Sequence, residues 1–159
     1  MTENETNYTE LDELYVIKAS KGKIMAVDFG DVRTGLAVSD ASRLLASGIG
    51  NISVGGIEKT AEAIAESAKA NGAVAVIVGL PVNMDGSQGS RAERCKKLAR
   101  MVKEQSGLLV STFDERMTTM TAARYLNETN TRGKKRKGVI DTLSAQIILQ
   151  NCLDRLKNL

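Results

Sequence analysis

The chain has 159 residues, enough to bury a core in one domain and short for two, and its aromatic content of two Phe, three Tyr and no Trp makes that core aliphatic and excludes stacking on an aromatic platform as the main mode of nucleic-acid binding. It contains no His, which excludes Ser-His and Cys-His nucleophiles and imidazole bases, and its two cysteines, Cys95 and Cys152, support neither a disulfide framework nor a structural zinc site. The net charge of +3 hides an asymmetry: residues 1–20 hold five acids against Lys18, which leaves a body of net +7, suited to a polyanionic partner.

Residues 1–22 lack a sustained apolar period and are expected to form a flexible acidic extension, with a short helix around Leu11 to Val16. The domain is expected over 23–159. Ile24-Met25-Ala26-Val27 predicts a buried strand ending at Asp28, followed by a turn through Gly30. Gly35–Ser39 and Ile49–Val54 predict two more strands in an antiparallel meander, which Gly55-Gly56 ends. Ile57, Ala61, Ile64, Ala65 and Ala68 recur at helical spacing up to Asn71-Gly72. The unbroken apolar run Ala73–Val78 predicts a strand covered on both faces.

A polar loop over 82–89 then leads to Ser90 and Glu93, whose spacing predicts a capping box on a helix that Gly107 ends. Leu108–Phe113 predicts a further strand, and Met120, Ala123 and Leu126 a short helix. Residues 127–138 read as a polar, basic loop, and Ile140, Leu143, Ile147, Leu149, Leu153 and Leu156 as the last helix. The order predicts an α/β fold, a mixed sheet with helices on both faces. No apolar run is long enough to span a membrane, and the N-terminus is acidic and polar, unlike a signal peptide, so a cytoplasmic location is expected.

Hydrolysis by a chain without His would fall to carboxylates and a hard metal ion. Asp28 ends the first strand, Asp114-Glu115 follow the strand ending at Phe113, and Asp141 opens the last helix. In α/β sheets ligands gather at the carboxyl ends of strands, and three carboxylates in one place repel unless a cation joins them. Each acid also has a plain structural reading: a turn at Asp28, a helix-dipole partner at Asp141, an ion pair of Asp114-Glu115 with Arg116. Because neighbours on a regular strand face opposite ways, at most one of Asp114 and Glu115 is expected to point into a shared site.

Four segments occur in order: DFGDVRTGLAVSD (28–40), VGLPVNMDGSQG (78–89), FDERMTT (113–119) and KKRKGVIDTLSAQIILQ (134–150). Together they resemble the YqgF family, also called RuvX, over roughly residues 23–156. The resemblance implies a ribonuclease H-like fold with a five-stranded mixed sheet, and a nuclease that matures the 5′ end of pre-16S ribosomal RNA. Relatives are also described as Holliday-junction resolvases acting on branched DNA. By position Asp28, Glu115 and Asp141 match the family's metal-binding acids, with Asp114 beside them, and Mg²⁺ or Mn²⁺ is the implied cofactor.

Arg33 and Arg116 lie next to these acids, each able to hold a phosphate or to brace a carboxylate. Arg132, Lys134, Lys135, Arg136 and Lys137 place five bases just before Asp141, where contact with a nucleic-acid backbone is expected. The expected partner is therefore structured RNA or branched DNA, bound by a monomer or a homodimer. Two rivals stand beside this reading. One half of an actin-like or sugar-kinase phosphotransferase opens with a similar strand and hairpin, but such enzymes need two halves. A non-catalytic RNA-binding module of ribosome assembly would use the basic segment equally well and gain nothing from the acids.

Overall fold

The computed structural model describes residues 8–117 and 136–159, with the backbone alone at 117 and 136–141. Its elements in chain order are α1 (Leu14–Ala19), β1 (Lys23–Asp28), β2 (Thr34–Ser39), β3 (Ala46–Ile52), α2 (Ile57–Ala70), β4 (Ala73–Leu80), α3 (Ser90–Ser106), β5 (Leu109–Asp114), a 3-10 turn at Glu115–Met117 and α4 (Arg136–Lys157). The sheet order is β3-β2-β1-β4-β5. β1, β2 and β3 form the antiparallel meander, while β4 and β5 run parallel to β1.

Side-chain alternation splits the core in two. Met25, Val27, Val76, Val78, Leu80 and Val110 face α2 and α3. Ile24, Ala26, Ala75, Ile77 and Phe113 face α4, where Ala145, Ile148, Leu149, Cys152 and Leu153 cover them. Continuing the second series places Asp28 on the α4 face, whereas Asp114, one residue past Phe113, falls on the opposite face. Gln146 and Gln150 fasten α4 to the start of β3 and the turn before it, donating to the carbonyls of Ala46 and Leu44 at 3.0 and 3.1 Å.

Several elements differ from their expected form. β3 begins at Ala46 rather than Ile49, because Ala46 pairs with Ser39 and its N–H is held by Gln150 Oε1; the run Ser-Gly-Ile-Gly carries little apolar signal. Ser90 does not cap α3. The N-cap is Gly89 without a side-chain bond, Ser90 lies inside the first turn, and Glu93 instead accepts from the Tyr8 N–H at 3.0 Å and pairs with Lys96 at 2.7 Å. α4 starts at Arg136, so residues 136–138, expected in a loop, are helical; the apolar period begins only at Ile140 and cannot register a polar first turn.

Residues 1–22 were expected to be flexible, but residues 8–20 pack on the body. Leu11 O accepts the Thr112 N–H at 2.8 Å, Glu13 pairs with Lys103 at 2.5 Å, and Ile17 is fully buried. The predicted helix at Met120–Leu126 lies outside the described residues. Among the described residues, no helix is long and apolar enough to cross a membrane.

Candidate active site

Asp28 ends β1 in the middle of the sheet, flanked by β2 and β4. Its neighbour on β4 is the Gly79 position, one residue beyond the Val27–Val78 pair, and Gly79 in turn pairs with Phe113 of β5. A Cβ on Gly79 would lie 2.9 Å from Glu115 Oε2 and 2.6 Å from Ile148 Cδ1. The bare glycine is therefore the floor on which the Glu115 carboxylate rests, on the face that carries Asp28 and α4. Glu115 reaches that face because β5 ends at Asp114 and the chain turns into a 3-10 helix, so strand alternation no longer governs it.

The electrostatics agree with that placement. Burial raises the Glu115 carboxyl above its ordinary pKa, the Asp28 carboxylate adds to the rise, Arg91 opposes it, and Asp114 adds a little more. Burial first, then the charges of Glu115 and Asp28, push the Cys95 thiol up to about 12, against Arg91 and Arg94. The charges of Asp28, Glu115, Arg91 and Arg94 are thus all felt at Cys95, in the second turn of α3. A thiol held so high is inert as a nucleophile.

Asp114 is occupied otherwise. Its Oδ2 takes Arg116 Nη2 at 2.7 Å, and its Oδ1 takes the Arg116 backbone N–H at 2.8 Å. The hydrogen bonds from the Arg116 side chain, with that backbone bond behind them, hold its carboxyl below the usual range despite some burial. Arg116 also donates to Asn83 O at 3.4 Å, which ties the end of β5 to the β4–α3 loop.

A profile of the RuvX family, described as Holliday junction resolvase, matches residues 22–155. A Clostridioides difficile protein named "Putative pre-16S rRNA nuclease" is 41% identical over 133 residues, 84% of this chain and 94% of that protein. A protein of the same name from Phenylobacterium zucineum is 36% identical over 152 residues, 94% of this chain and 97% of its own length. The chain belongs to the RuvX family. Among solved structures, Thermus thermophilus RuvC in complex with a Holliday junction substrate superposes with a TM-score of 0.58 at 12% identity, covering 86% of this chain and 96% of RuvC. That likeness shows the fold: the RuvX chain is built on the ribonuclease H-like sheet of RuvC-type proteins.

Within this RuvX fold the structure brings Asp28 and Glu115 together and turns Asp114 toward Arg116. Asp141 lies on the backbone of α4, the helix that covers the face holding Asp28 and Glu115. Arg33 is half-buried in the β1–β2 connection, and its carbonyl comes so close to Gly30 that a Cβ there would overlap it. Arg136 and Lys137 belong to the first turn of α4, and Arg132, Lys134 and Lys135 lie outside the described residues.

Three residues of the site escape a sequence reading. Gly79 interrupts an otherwise apolar strand, a signal of close approach in a sheet. Arg91 and Arg94 are exposed in the first turns of α3, although Arg91 shares its stripe with the buried Cys95, Leu98 and Val102, and only topology shows that this turn sits at the carboxyl edge of the sheet. Among the described residues no group of three potential metal ligands is assembled. Asp28 and Glu115 still suit a hard cation: they are two oxygen donors whose mutual repulsion, shown by the raised Glu115 carboxyl, a cation would relieve.

Proposed function

We propose that the chain is a divalent-metal-dependent endonuclease that hydrolyses phosphodiester bonds of structured RNA, acting in 5′-end maturation of pre-16S rRNA. The observation that carries this reading is the Glu115 carboxylate resting over Gly79 beside Asp28, at the carboxyl edge of the sheet. The names of the relatives supply the substrate.

In this reading Asp28, Glu115 and Asp141 hold Mg²⁺ or Mn²⁺. When bound, the cation would supply positive charge for the attacking and leaving oxygens and lower the pKa of a bound water, and the chain has no His to serve as an imidazole base instead. Asp28 is fixed by its strand and Glu115 by its seat on β4, so both donors are preorganised. Asp114 serves as a positioning residue that orients Arg116 and the loop at Asn83. Arg33, Arg116 and the basic residues Arg132, Lys134, Lys135, Arg136 and Lys137 contact backbone phosphates without reading sequence.

The family description supports a second substrate, a four-way DNA junction, for the same carboxylate site. One assay addresses both. Labelled pre-16S rRNA leader, single strands and DNA junctions are incubated with wild type and Asp28→Asn, in EDTA and in Mg²⁺ or Mn²⁺. Cleavage of the leader by wild type only with metal is the expected result. Cleavage in excess EDTA, or undiminished cleavage by Asp28→Asn, overturns the mechanism. Cleavage confined to junctions replaces the substrate. Metal-independent binding without cleavage of any substrate returns the chain to an RNA-binding module.

A further inference from the structure

We propose that Arg91 and Arg94, on the first turns of α3, form a phosphate-binding pair that holds the nucleic-acid strand next to the carboxylate site; the role of that strand as substrate rests on the nuclease reading above. The two residues are three apart on a helix and so share one face. Both are exposed, while Ala92 and Cys95 beside them are buried. Both guanidinium groups converge on Phe29, the residue that follows Asp28. Arg91 Nη2 donates to Phe29 O at 3.2 Å, and Arg94 lies 5.4 Å above the Phe29 ring. Arg94 also lines a shallow cavity of about 40 Å³ whose other walls include Gly30, Thr34 and Thr60.

The chemistry calls for such a pair. A site of clustered carboxylates repels a polyanion, and cations beside it offset that repulsion where the strand must pass closest. A guanidinium fork matches the oxygens of a phosphate, and the cation–π contact with Phe29 holds Arg94 in place without using its donors. The remaining partner of Arg91 is Asp31, an exposed ion pair at 3.4 Å with side chains 53% and 80% accessible. Pairs of that kind contribute little, so a phosphate oxygen readily displaces Asp31. The competing account is that both arginines only brace the β1–β2 turn.

The test reads binding separately from cleavage. Fluorescence anisotropy of a labelled single-stranded RNA is measured in EDTA, from about 50 to about 200 mM salt, for wild type, Arg91→Ala/Arg94→Ala and Arg91→Lys/Arg94→Lys. Arg155→Ala, exposed near the far end of α4, is the control. Loss of two phosphate contacts flattens the log–log salt slope by ~1.4, so across that range wild type loses about sevenfold more affinity than the double alanine variant. The lysine variant is expected to recover most of the slope, and the control to match wild type. A labelled DNA strand run in parallel shows whether the pair favours either sugar.

Wild-type affinity and slope in the double alanine variant overturn the proposal, as does a wild type that binds neither strand. If the double alanine variant loses its melting transition, the lysine variant and Arg94→Gln alone carry the test, and a wild-type slope in Arg94→Gln counts against the pair. Cleavage assays on the same proteins separate the two readings. A wild type that cuts, with a double variant that binds as well as wild type, sinks the pair and spares the nuclease. Binding that depends on the pair in a protein that cuts nothing supports the pair and sinks the nuclease.

Discussion

Gly79→Ala isolates the seat of Glu115 in one methyl group. The backbone at Gly79 is ordinary β-strand, so alanine brings no conformational strain there and even removes unfolded-state entropy, a gain of about 0.4–1 kcal/mol. Against it, the new Cβ would stand 2.6 Å from Ile148 Cδ1 and 2.9 Å from Glu115 Oε2, both inside contact distance. Overfilling a packed site of this kind costs about 1–3 kcal/mol, so a net loss of ~1–2 kcal/mol is expected. The Ile148 methyl gives way at the cost of its packing, and the carboxylate must shift from the place it holds over Gly79 beside Asp28.

Function should fall as well, in a protein that stays folded, by tenfold or more in both cleavage rate and Mn²⁺ affinity, each tenfold being about 1.4 kcal/mol. Urea denaturation, isothermal titration with Mn²⁺ and cleavage of labelled leader RNA measure the three quantities. Gly55→Ala, where a Cβ meets nothing within 4 Å, is the control and should leave all three unchanged. Valine at 148 lacks the δ-methyl. Placing Gly79→Ala in an Ile148→Val background should then restore stability and leave metal affinity low. If the double variant recovers metal affinity as well, or if Gly79→Ala alone binds Mn²⁺ like wild type, the floor under Glu115 is not what organises the site.

Glu115→Gln should abolish cleavage yet raise the metal-free melting temperature. A carboxyl with a raised folded pKa binds its proton more tightly in the folded state, so wild-type stability falls as pH rises through that pKa, and the advantage of the variant should grow from acid to neutral pH and then level off; thermal melts at several pH values in EDTA decide this. Ser90→Ala should change stability by less than about 0.5 kcal/mol because no cap is lost, whereas Glu93→Ala leaves the nearly buried Lys96 amine without its partner, costs about 1–3 kcal/mol and frees residues 8–13 to protease, as urea melts and limited proteolysis would show. Gly48→Ala forces a Cβ into Thr142 Cγ2, so α4 must lift from β3; a loss of about 1–3 kcal/mol together with reduced cleavage is expected, and full activity would detach Asp141 from the site.

Composition and periodicity by themselves gave the order of strands and helices among the described residues, because apolar residues recur at 2 or 3.6 only where a face is buried, and they located Asp28 at the end of a strand; Asp141, expected in the first turn of the last helix, lies in its second turn because α4 begins at Arg136. The absence of His and the positions of the acids made carboxylates with a metal the expected chemistry. Tertiary structure shows how Glu115, which the family resemblance had favoured, rather than Asp114 comes to the face of Asp28. Alternation holds only while a strand is regular, and β5 gives way to a 3-10 turn at the residue in question. Tertiary structure also decided what Gly79, Arg91 and Arg94 touch, since a glycine in a strand or an arginine in a helix takes meaning from what another part of the chain brings against it. The same reason misplaced the cap of α3: Ser90 and Glu93 have the right spacing, but Tyr8 and Lys96, neither of which that motif considers, compete for the carboxylate and win it.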